Sequence, residues 1–469
     1  MKTRSFFRLA PFLLALFLLL PAATSRAQAP KFQDGDRICF VGDSITHAGS
    51  YHTQVLLFYL TRYPQMRLEA WNCGIAGDSA AGAVRRYDWD IASHKPTVAT
   101  IMLGMNDVRR DLYAEGKTGE AVEGQRRMAI EGNLGNMDKL SERLAQDGVR
   151  LIYITPSLFD QTGNQKNDKL TGVNDALKAC AEGDRKLAEK YRGGVIDFNG
   201  PMETLNREQQ AKDPAFTIVG ADRVHPGPAG HLVMTYLFLK AQGMTPTVST
   251  MAIDAATSTI TTQENAEITQ LAVKADTVTF ECLEKSLPFP VPAAAEKALT
   301  LVPWTNDLNQ EILKVSGLKA GAYEVLIDGQ PVLKTTAEAL AQGVNLATLA
   351  NTPQLKQAQE VQSLLQRRAS IENSKLRTFA QVEAGLFGPL KERTPEAEQK
   401  AVADKLANLR ATTGQYNAYY ITVYENYQAS IGQREKFLQE VSDLHKQAVA
   451  AAQPKPHRFE IRPATASTP

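Results

Sequence analysis

The alternation of two hydrophobic periods between residues 36 and 243 constrains the fold more than any other feature of this sequence. Short β-branched runs alternate there with long amphipathic stretches, which is typical of parallel strands joined by helices. The candidate strands are Ile38–Val41, Leu68–Asn72, Val98–Leu103, Leu151–Ile154 and Val195–Phe198. The candidate helices are Tyr51–Arg62, Met128–Asp147, Asn167–Lys190 and Ala229–Ala241. This order predicts an α/β fold, with a parallel sheet covered on both faces and a site at the carboxyl ends of its strands.

The hydrophobic pattern changes twice after Gly243. Thr-rich and Val-rich runs first indicate a small β-rich module, whose clearest element is the alternating segment Tyr323–Ile327 followed by the hairpin signal Asp328-Gly329. From about Pro353 the chain is rich in Gln, Ala, Lys, Glu and Leu, and its apolar residues have helical spacing. The predicted helices are Pro353–Val382, Pro395–Thr412 and Tyr416–Ala451, and a candidate strand that returns to the β-rich module is Arg458–Ile461.

These changes divide the chain into five predicted parts. In order they are a signal peptide at 1–29, an α/β domain at 30–245, a β-rich accessory module at 246–334, a helical region at 335–452 and an extended tail at 453–469. The length of 469 residues agrees with two or three domains. The composition, with 43% apolar and 22% charged residues, is that of an ordinary globular protein.

The first 29 residues have the pattern of a cleavable secretory signal. Basic residues precede the apolar run Leu9–Leu20, and the small-residue sequence Ala27-Gln28-Ala29 follows it. A helix of these twelve apolar residues would span about 18 Å, which is too short for a bilayer core of about 30 Å. We therefore expect export to the periplasm or the extracellular medium, without a stable membrane anchor.

Charge and cysteine content exclude several classes of function. The chain has 52 Lys and Arg against 51 Asp and Glu, and loss of the signal peptide takes the net charge from +1 to −3. This balance gives no support to nucleic-acid binding. The four cysteines match neither a zinc ribbon nor a disulfide framework. Cys39 and Cys73 fall on predicted core strands, where they are expected as small buried hydrophobes, with a disulfide between them as the alternative.

A serine and a histidine–carboxylate pair stand at the edges of the predicted strands and helices. Ser44 directly follows the first strand, where its hydroxyl can either face a crevice or cap the next helix. Asp222 and His225 lie three residues apart before the last helix of the α/β region. At this spacing in a tight loop, the carboxylate can hold one ring nitrogen while the other points at a nucleophile.

Two further segments at strand ends can supply hydrogen-bond donors. Gly77 follows the second strand and allows the backbone to approach a ligand closely. Asn106 follows the third strand, and its amide NH₂ can meet a developing oxyanion. The alternatives are a simple turn at Gly77 and an Asx-turn or helix cap at Asn106.

In this order and at these places, the four segments resemble the motifs of the SGNH (GDSL-type) hydrolases over roughly residues 36–243. The matching segments are Gly42-Asp43-Ser44-Ile45, Gly77, Gly104-Met105-Asn106-Asp107 and Asp222-Arg223-Val224-His225. The resemblance implies a flavodoxin-like three-layer parallel sheet, with Ser44 as nucleophile, His225 as general base and then acid, and Asp222 as the orienting carboxylate. It also implies an oxyanion hole formed by the backbone N–H groups of Ser44 and Gly77 and the side chain of Asn106.

The shared motifs do not separate the kinds of ester that such enzymes cleave. The segments Asn72–Arg86 and Asp222–Leu239 also resemble secreted bacterial carbohydrate esterases, which favours O-deacetylation of carbohydrates. The alternatives are a lysophospholipase-like hydrolase of lipid esters or thioesters, and a non-catalytic glycan-binding protein. The expected partner is a small-molecule or glycan ester. No cofactor or metal is expected, because serine-based acyl transfer needs neither and the sequence has no phosphate loop or metal-ligand cluster.

The remaining polar and aromatic residues are assigned mainly structural roles. His231 is expected to pack, while His47 and His52 are candidates for the mouth of the site. Asp43 and Asp107 are expected to support their loops. A run of tyrosines at helical spacing predicts a packed face with hydroxyls at its edge, or alternatively a glycan-stacking platform. These tyrosines are Tyr416, Tyr419, Tyr420, Tyr424 and Tyr427. The helical region can be an interaction arm, a dimer interface or a buttress for the α/β domain, and its sequence does not choose among them.

Overall fold

The computed structural model describes residues 29–464, except for 389, 391, 392 and 415. The predicted signal peptide therefore lies, but for its last residue, outside the described residues. Within the described range, no helix combines the length and the apolar character needed to cross a bilayer.

The first half of the chain forms a parallel five-stranded sheet between two layers of helices, which confirms the predicted α/β class. The strands are β1 (Arg37–Gly42), β2 (Glu69–Gly74), β3 (Val98–Met102), β4 (Arg150–Ile154) and β5 (Gly194–Ile196). The helices are α1 (Ser44–His47), α2 (Ser50–Arg62), α3 (Ala80–Arg85), α4 (Glu120–Gln146), α5 (Val173–Tyr191), α6 (Asn199–Gln210) and α7 (Pro228–Ala241). The strand order β2-β1-β3-β4-β5 is that of a flavodoxin-like sheet.

All five predicted strands are present, whereas two helix starts differ and three helices, the short α1 and α3 and the longer α6, were not predicted. Helix α4 begins eight residues before the predicted Met128, because its first two turns are polar and carry no apolar stripe. Helix α5 begins at Val173 and not at Asn167, because Gly172 takes a left-handed conformation with φ of +100°. Helix α6 was missed, since only three of its twelve residues are buried.

Alternation along β1 explains why the sheet is covered on both faces. Ile38 and Phe40 belong to the hydrophobic core on one face, while Cys39 and Val41 belong to the core on the other. All four residues are 0–1% exposed, as expected for a strand in the middle of a parallel sheet. Cys39 and Cys73 are buried free thiols, so the alternative of a disulfide between them is wrong for this structure.

The β-rich module contains two sheets. Its strands are β6 (Thr247–Asp254), β7 (Thr259–Glu264), β8 (Ala266–Lys274), β9 (Thr277–Glu284), β10 (Gln310–Ser316), β11 (Ala322–Ile327), β12 (Gln330–Thr336), β13 (Val344–Asn345) and β14 (Pro456–Pro463). Short helices α8 (Trp304–Leu308) and α9 (Ala337–Gln342) lie among them. The predicted hairpin joins β11 to β12, and Asp328 and Gly329 both have positive φ, as a tight primed turn requires. The predicted returning strand is confirmed, since β14 lies between β11 and β9.

The helical region consists of α10 (Pro353–Ile371), α11 (Arg377–Val382), α12 (Pro395–Ala411), α13 (Asn417–Ser430) and α14 (Arg434–Ala451). Wider π-helical turns at Glu372–Leu376 and Glu383–Phe387 extend α10 and α11 into one continuous helical segment. The predicted single helix Tyr416–Ala451 is wrong, because Gly432 takes φ of +80° and separates α13 from α14.

The helical region shares a hydrophobic core with the α/β sheet. Val361 and Leu365 of α10 and Leu444 and Ala448 of α14 pack into the same cluster as the residues of α2. Of the three roles left open by the sequence, this packing shows the buttress.

Two glutamates are buried side by side in the β-rich module. Glu284 is 2% exposed and accepts hydrogen bonds from Ser249 Oγ and Gln354 Nε2, both at 2.5 Å. Glu311 is fully buried, and its carboxyl oxygens accept no hydrogen bond from the described residues. Burial, together with the neighbouring Glu284 carboxyl, raises the pKa of Glu311 well above its ordinary value. Glu311 therefore keeps its proton to a higher pH in the folded protein than an ordinary glutamate does.

We expect Glu311→Gln to stabilise the protein increasingly as pH rises. Above the ordinary glutamate pKa of about 4.3, Glu311 ionises in the unfolded chain but not in the folded one, and each pH unit then costs about 1.4 kcal/mol until the raised folded-state pKa is reached. Glutamine is never charged, so the melting temperature of the variant minus that of the wild type should grow as pH rises above about 5. Glu264→Gln, on an exposed strand of the same module, is the control. A difference independent of pH would contradict the prediction.

Candidate active site

Ser44 lies at the point where β1 meets α1, and its hydroxyl does not cap the helix. Asp43, and not Ser44, caps the short helix, since its Oδ1 accepts from Ile45 N at 3.0 Å. This excludes the capping role considered for Ser44. A side chain at Gly42 would place its Cβ 2.2 Å from Thr46 Oγ1, so only glycine allows this tight turn. The serine is thus presented at the carboxyl end of β1, an inner strand of the sheet.

Asp43 itself is 2% exposed, and burial raises its pKa to about 6. It supports the loop, as expected from the sequence.

His225 and Asp222 complete a chain of hydrogen bonds with Ser44. His225 Nε2 lies 2.7 Å from Ser44 Oγ, and His225 Nδ1 lies 2.5 Å from Asp222 Oδ2. The other carboxylate oxygen of Asp222 accepts from the backbone N–H groups of Val224 and His225. Burial raises the pKa of Asp222, but these hydrogen bonds outweigh it and lower that pKa to about 2. An ionised Asp222 holds the proton on Nδ1, which leaves the Nε2 lone pair facing the serine hydroxyl.

Arg223, between the acid and the histidine, was not identified from the sequence. It is 1% exposed and takes a left-handed conformation with φ of +67°. Its guanidinium donates to the carbonyl oxygens of Asp160, Gly163, Gln165 and Asn167 and to Gln165 Oε1. These bonds anchor the Asp222–His225 turn to the loop that follows β4. An arginine inside a polar loop motif is the only signal for this role in the sequence.

The two predicted donor segments lie beside each other at the same edge of the sheet. Gly77 has φ of +80°, a conformation that favours glycine. Asn106 Nδ2 donates to the carbonyl oxygen of Asp78 at 2.8 Å, which leaves its second amide hydrogen available. Asp107 Oδ1 accepts from Ala80 N at 2.9 Å and joins the two segments a second time. The loops after β2 and β3 are therefore tied into one unit next to Ser44.

A cleft of about 580 Å³ opens at this edge. Its lining residues are Asn106, Arg109, Arg110, Asp111, Phe159, Asn167, Asp168, Leu170, Asp222, Val224, His225 and Tyr416. Most of them are polar, and Tyr416 comes from the helical region. The side chains of His225 and Asp222 are 47% and 49% exposed, so the cleft is open to a bulky molecule.

The other histidines lie outside the hydrogen-bonded chain. His47 accepts from Ala76 N at Nδ1, and its Nε2 lies 3.2 Å from the carbonyl oxygen of Asn373. His52 and His231 are 4% and 5% exposed, so His52 does not line the mouth of the site. Burial lowers the pKa of all three to about 4, and they are neutral at physiological pH. His231 packs as expected, nearly parallel to the ring of Tyr51.

Among the described residues, no group of three or more His, Cys, Asp or Glu side chains has the arrangement of a metal site.

The fold and the site together define a class of protein. The parallel sheet has a serine, an imidazole and a carboxylate hydrogen-bonded in series at its carboxyl edge. This is the architecture of an α/β hydrolytic enzyme.

Comparisons with known proteins agree with that class. Residues 40–233 match the model of the GDSL-like Lipase/Acylhydrolase family. A solved structure described as a gut microbial diltiazem-metabolizing enzyme is 30% identical, covers 93% of this chain and 99% of its own, and superposes with a TM-score of 0.83. An acetylxylan esterase from Geobacillus stearothermophilus is 25% identical over 232 residues, which are 45% of this chain and 96% of that protein. A crystal structure of an acetylxylan esterase from the same organism is 22% identical, covers 46% of this chain and 97% of its own, and has a TM-score of 0.37.

The chain belongs to the GDSL-like lipase/acylhydrolase family, also called SGNH hydrolases. It is an enzyme that hydrolyses ester bonds.

Proposed function

We propose that the protein is an exported serine esterase that removes acetyl groups from carbohydrates through an acyl-enzyme intermediate. The observation that carries the proposal is the hydrogen-bonded chain from Ser44 Oγ through His225 to Asp222, at 2.7 and 2.5 Å. Export rests on the signal-like pattern of residues 1–29.

The reaction begins with attack of Ser44 Oγ on the ester carbonyl carbon, while His225 Nε2 takes the hydroxyl proton. The carbonyl oxygen becomes an oxyanion that accepts from the N–H groups of Ser44 and Gly77 and from Asn106 Nδ2. When the intermediate collapses, the C–O bond to the alcohol breaks and His225 returns the proton to the leaving oxygen. Water then attacks the acetyl-serine, again giving a proton to His225, and acetate leaves as Ser44 recovers its hydrogen.

Two observations favour a carbohydrate as the alcohol. The cleft is open and is lined mainly by charged and amide side chains, which suit a polyhydroxylated molecule better than a long acyl chain. The 25% identity to an acetylxylan esterase along almost all of that protein points to the same substrate class.

Hydrolysis of p-nitrophenyl acetate, butyrate and octanoate tests the acyl preference. We expect kcat/KM to be at least about 10-fold higher for acetate than for octanoate, because most residues that line the described cleft are polar. A preference for octanoate would replace the proposal with a lipid-ester hydrolase. Absence of turnover with every ester, including acetylated xylo-oligosaccharides, would favour a glycan-binding protein.

Tyr416 offers a test of the carbohydrate part of the proposal. It is 57% exposed and lines the cleft, so its ring is available to stack on a sugar. We expect Tyr416→Ala to lower the ratio of kcat/KM for acetylated xylo-oligosaccharides to kcat/KM for p-nitrophenyl acetate by about 3- to 10-fold. Ile431→Ala removes a 46% exposed apolar residue of the same region that does not line the cleft, and should leave the ratio unchanged. An equal ratio in both variants would argue against stacking.

A further inference from the structure

We propose that Arg377, in the helical region, is a positioning residue that holds the oxyanion-hole loop of residues 74–79 in its productive conformation. The helical region would then supply part of the working site and not only support its base. This inference rests on the proposed function, since it assigns a role in the same reaction.

Arg377 reaches the end of strand β2 from the first residue of α11. Its Nε donates to the carbonyl oxygen of Gly74 at 2.9 Å, across 303 residues of sequence. Its two terminal nitrogens donate to both carboxylate oxygens of Asp90, at 2.7 and 2.8 Å. The side chain is 5% exposed. Gly74 is the last residue of β2 and lies three residues before Gly77, so this bond fixes where the loop starts.

A second arginine, Arg86, links Asp90 to the other end of the loop. Arg86 shares Asp90 with Arg377 through a contact of 2.5 Å and pairs with Asp78 Oδ2 at 2.7 Å. It also donates to the carbonyl oxygen of Gly42 at 3.3 Å, two residues before the serine. The two arginines and two carboxylates therefore form a buried network under the segment from Gly74 to Asp78. The carbonyl oxygen of Asp78 also accepts the hydrogen bond from Asn106 Nδ2.

The same helical segment holds the loop at a second point through Asn373. The carbonyl oxygen of Asn373 lies 3.2 Å from His47 Nε2, and Nδ1 of that histidine accepts from Ala76 N. Because Nδ1 accepts, Nε2 carries the proton and donates to Asn373. The side chain of Asn373 accepts from Asn72 Nδ2 at 2.7 Å and donates to the carbonyl oxygen of Ala48 at 3.0 Å. Both sides of the loop are thus tied to residues in the wide turn 372–376 and at its end.

These ties matter because a backbone N–H stabilises an oxyanion only when it already points at the right place. Gly77 has the conformational freedom of a glycine, and a side chain at this position would lie 3.5 Å from Tyr420 Oη of the helical region. Loss of the Gly74 and Asp90 contacts frees the loop to move, and a displacement of about 1 Å can cost on the order of 100-fold in rate. Lysine cannot replace Arg377, because an ammonium group does not bind a carboxylate and a carbonyl oxygen in the same planar geometry.

Arg377→Lys in the full chain tests the proposal. We expect kcat for p-nitrophenyl acetate to fall about 10- to 100-fold while KM stays within about twofold. The inhibition constant of phenylboronic acid, which forms a tetrahedral adduct with the serine, should rise in parallel with the loss of kcat.

Arg368→Lys is the matched control for a purely structural role. Arg368 also has a side chain that is 5% exposed, pairs with Glu372, and donates to the carbonyl oxygen of Ala70 in the same strand but far from the oxyanion loop. We expect its melting temperature to fall as in Arg377→Lys, with kcat within about twofold of the wild type. If Arg377→Lys does not fold, Asn373→Ala takes its place, with a fall in kcat of about 3- to 10-fold expected at nearly unchanged melting temperature.

Unchanged kcat in Arg377→Lys, or in Asn373→Ala where that variant replaces it, would overturn the inference. So would a fall in kcat/KM that is caused entirely by a rise in KM. An equal loss of kcat in Arg368→Lys would also overturn it. Failure of the proposed function has a different signature, namely wild-type turnover that survives replacement of Ser44.

Discussion

Ser44→Ala is expected to lower kcat for ester hydrolysis on the order of 10⁴- to 10⁶-fold. The hydroxyl that His225 holds at 2.7 Å is the only described side-chain nucleophile in the hydrogen-bonded chain, and alanine cannot form the acyl-enzyme. The remaining oxyanion donors would still polarise a bound ester and leave a residual rate above that in water. Steady-state kinetics with p-nitrophenyl acetate, together with mass spectrometry of fluorophosphonate-labelled protein, would measure both the loss of turnover and the loss of the labelled serine.

Ser50→Ala is the matched control for this variant. Ser50 is the first residue of α2, six residues after Ser44, and it is not a member of the hydrogen-bonded chain from Ser44 through His225 to Asp222. Its replacement should leave kcat and labelling within about twofold of the wild type. Retention of more than about a tenth of wild-type activity in Ser44→Ala would refute the serine mechanism.

The second large effect is expected at Asn106, where alanine should lower kcat about 10²- to 10³-fold. The amide gives one hydrogen to the carbonyl oxygen of Asp78 and, in the proposed mechanism, donates the other to the oxyanion. Because the oxyanion exists only in the transition state and the tetrahedral intermediates, KM should change little. Asn106→Asp should lose at least as much, since the carboxylate has no hydrogen to donate and adds negative charge beside the oxyanion.

A double variant tests whether Asn106 acts in the same step as Ser44. When Ser44 is already alanine, no covalent oxyanion forms, so adding Asn106→Ala should cost much less than it does in the wild-type background. Fully multiplicative losses would show that Asn106 acts elsewhere, for example through folding of its loop. A fall in kcat/KM caused by KM alone would place Asn106 in ground-state binding.

The sequence was sufficient to predict the α/β fold and the segments of the candidate site. All five strands of the sheet show as apolar runs, because both faces of a parallel sheet are buried. Ser44, Gly77 and Asn106 come within a few residues of the ends of consecutive strands, and parallel strands bring their carboxyl ends to one edge. The short spacing of Asp222 and His225 already allowed their contact.

The burial of charged side chains in the helical region could not be predicted from sequence patterns. Arg368 and Glu372 are four residues apart, a spacing typical of a solvated ion pair on a helix surface. In the structure their side chains are only 5% and 4% exposed. The burial of Arg377 could not be predicted from the sequence of its own helix either, because its ion-pair partner Asp90 lies 287 residues earlier in the chain.

By itself the sequence determined the elements and the chemistry available at their ends, because hydrophobic period, turn residues and the spacing of Asp222 and His225 are local properties. Only the tertiary structure decided that Ser44 faces His225 across 181 residues, that Tyr416 forms part of the cleft, and that Arg377 donates to the carbonyl oxygen of Gly74. These outcomes depend on how distant segments pack. The free energy of such packing comes from burial and from hydrogen bonds between surfaces that neither segment specifies alone.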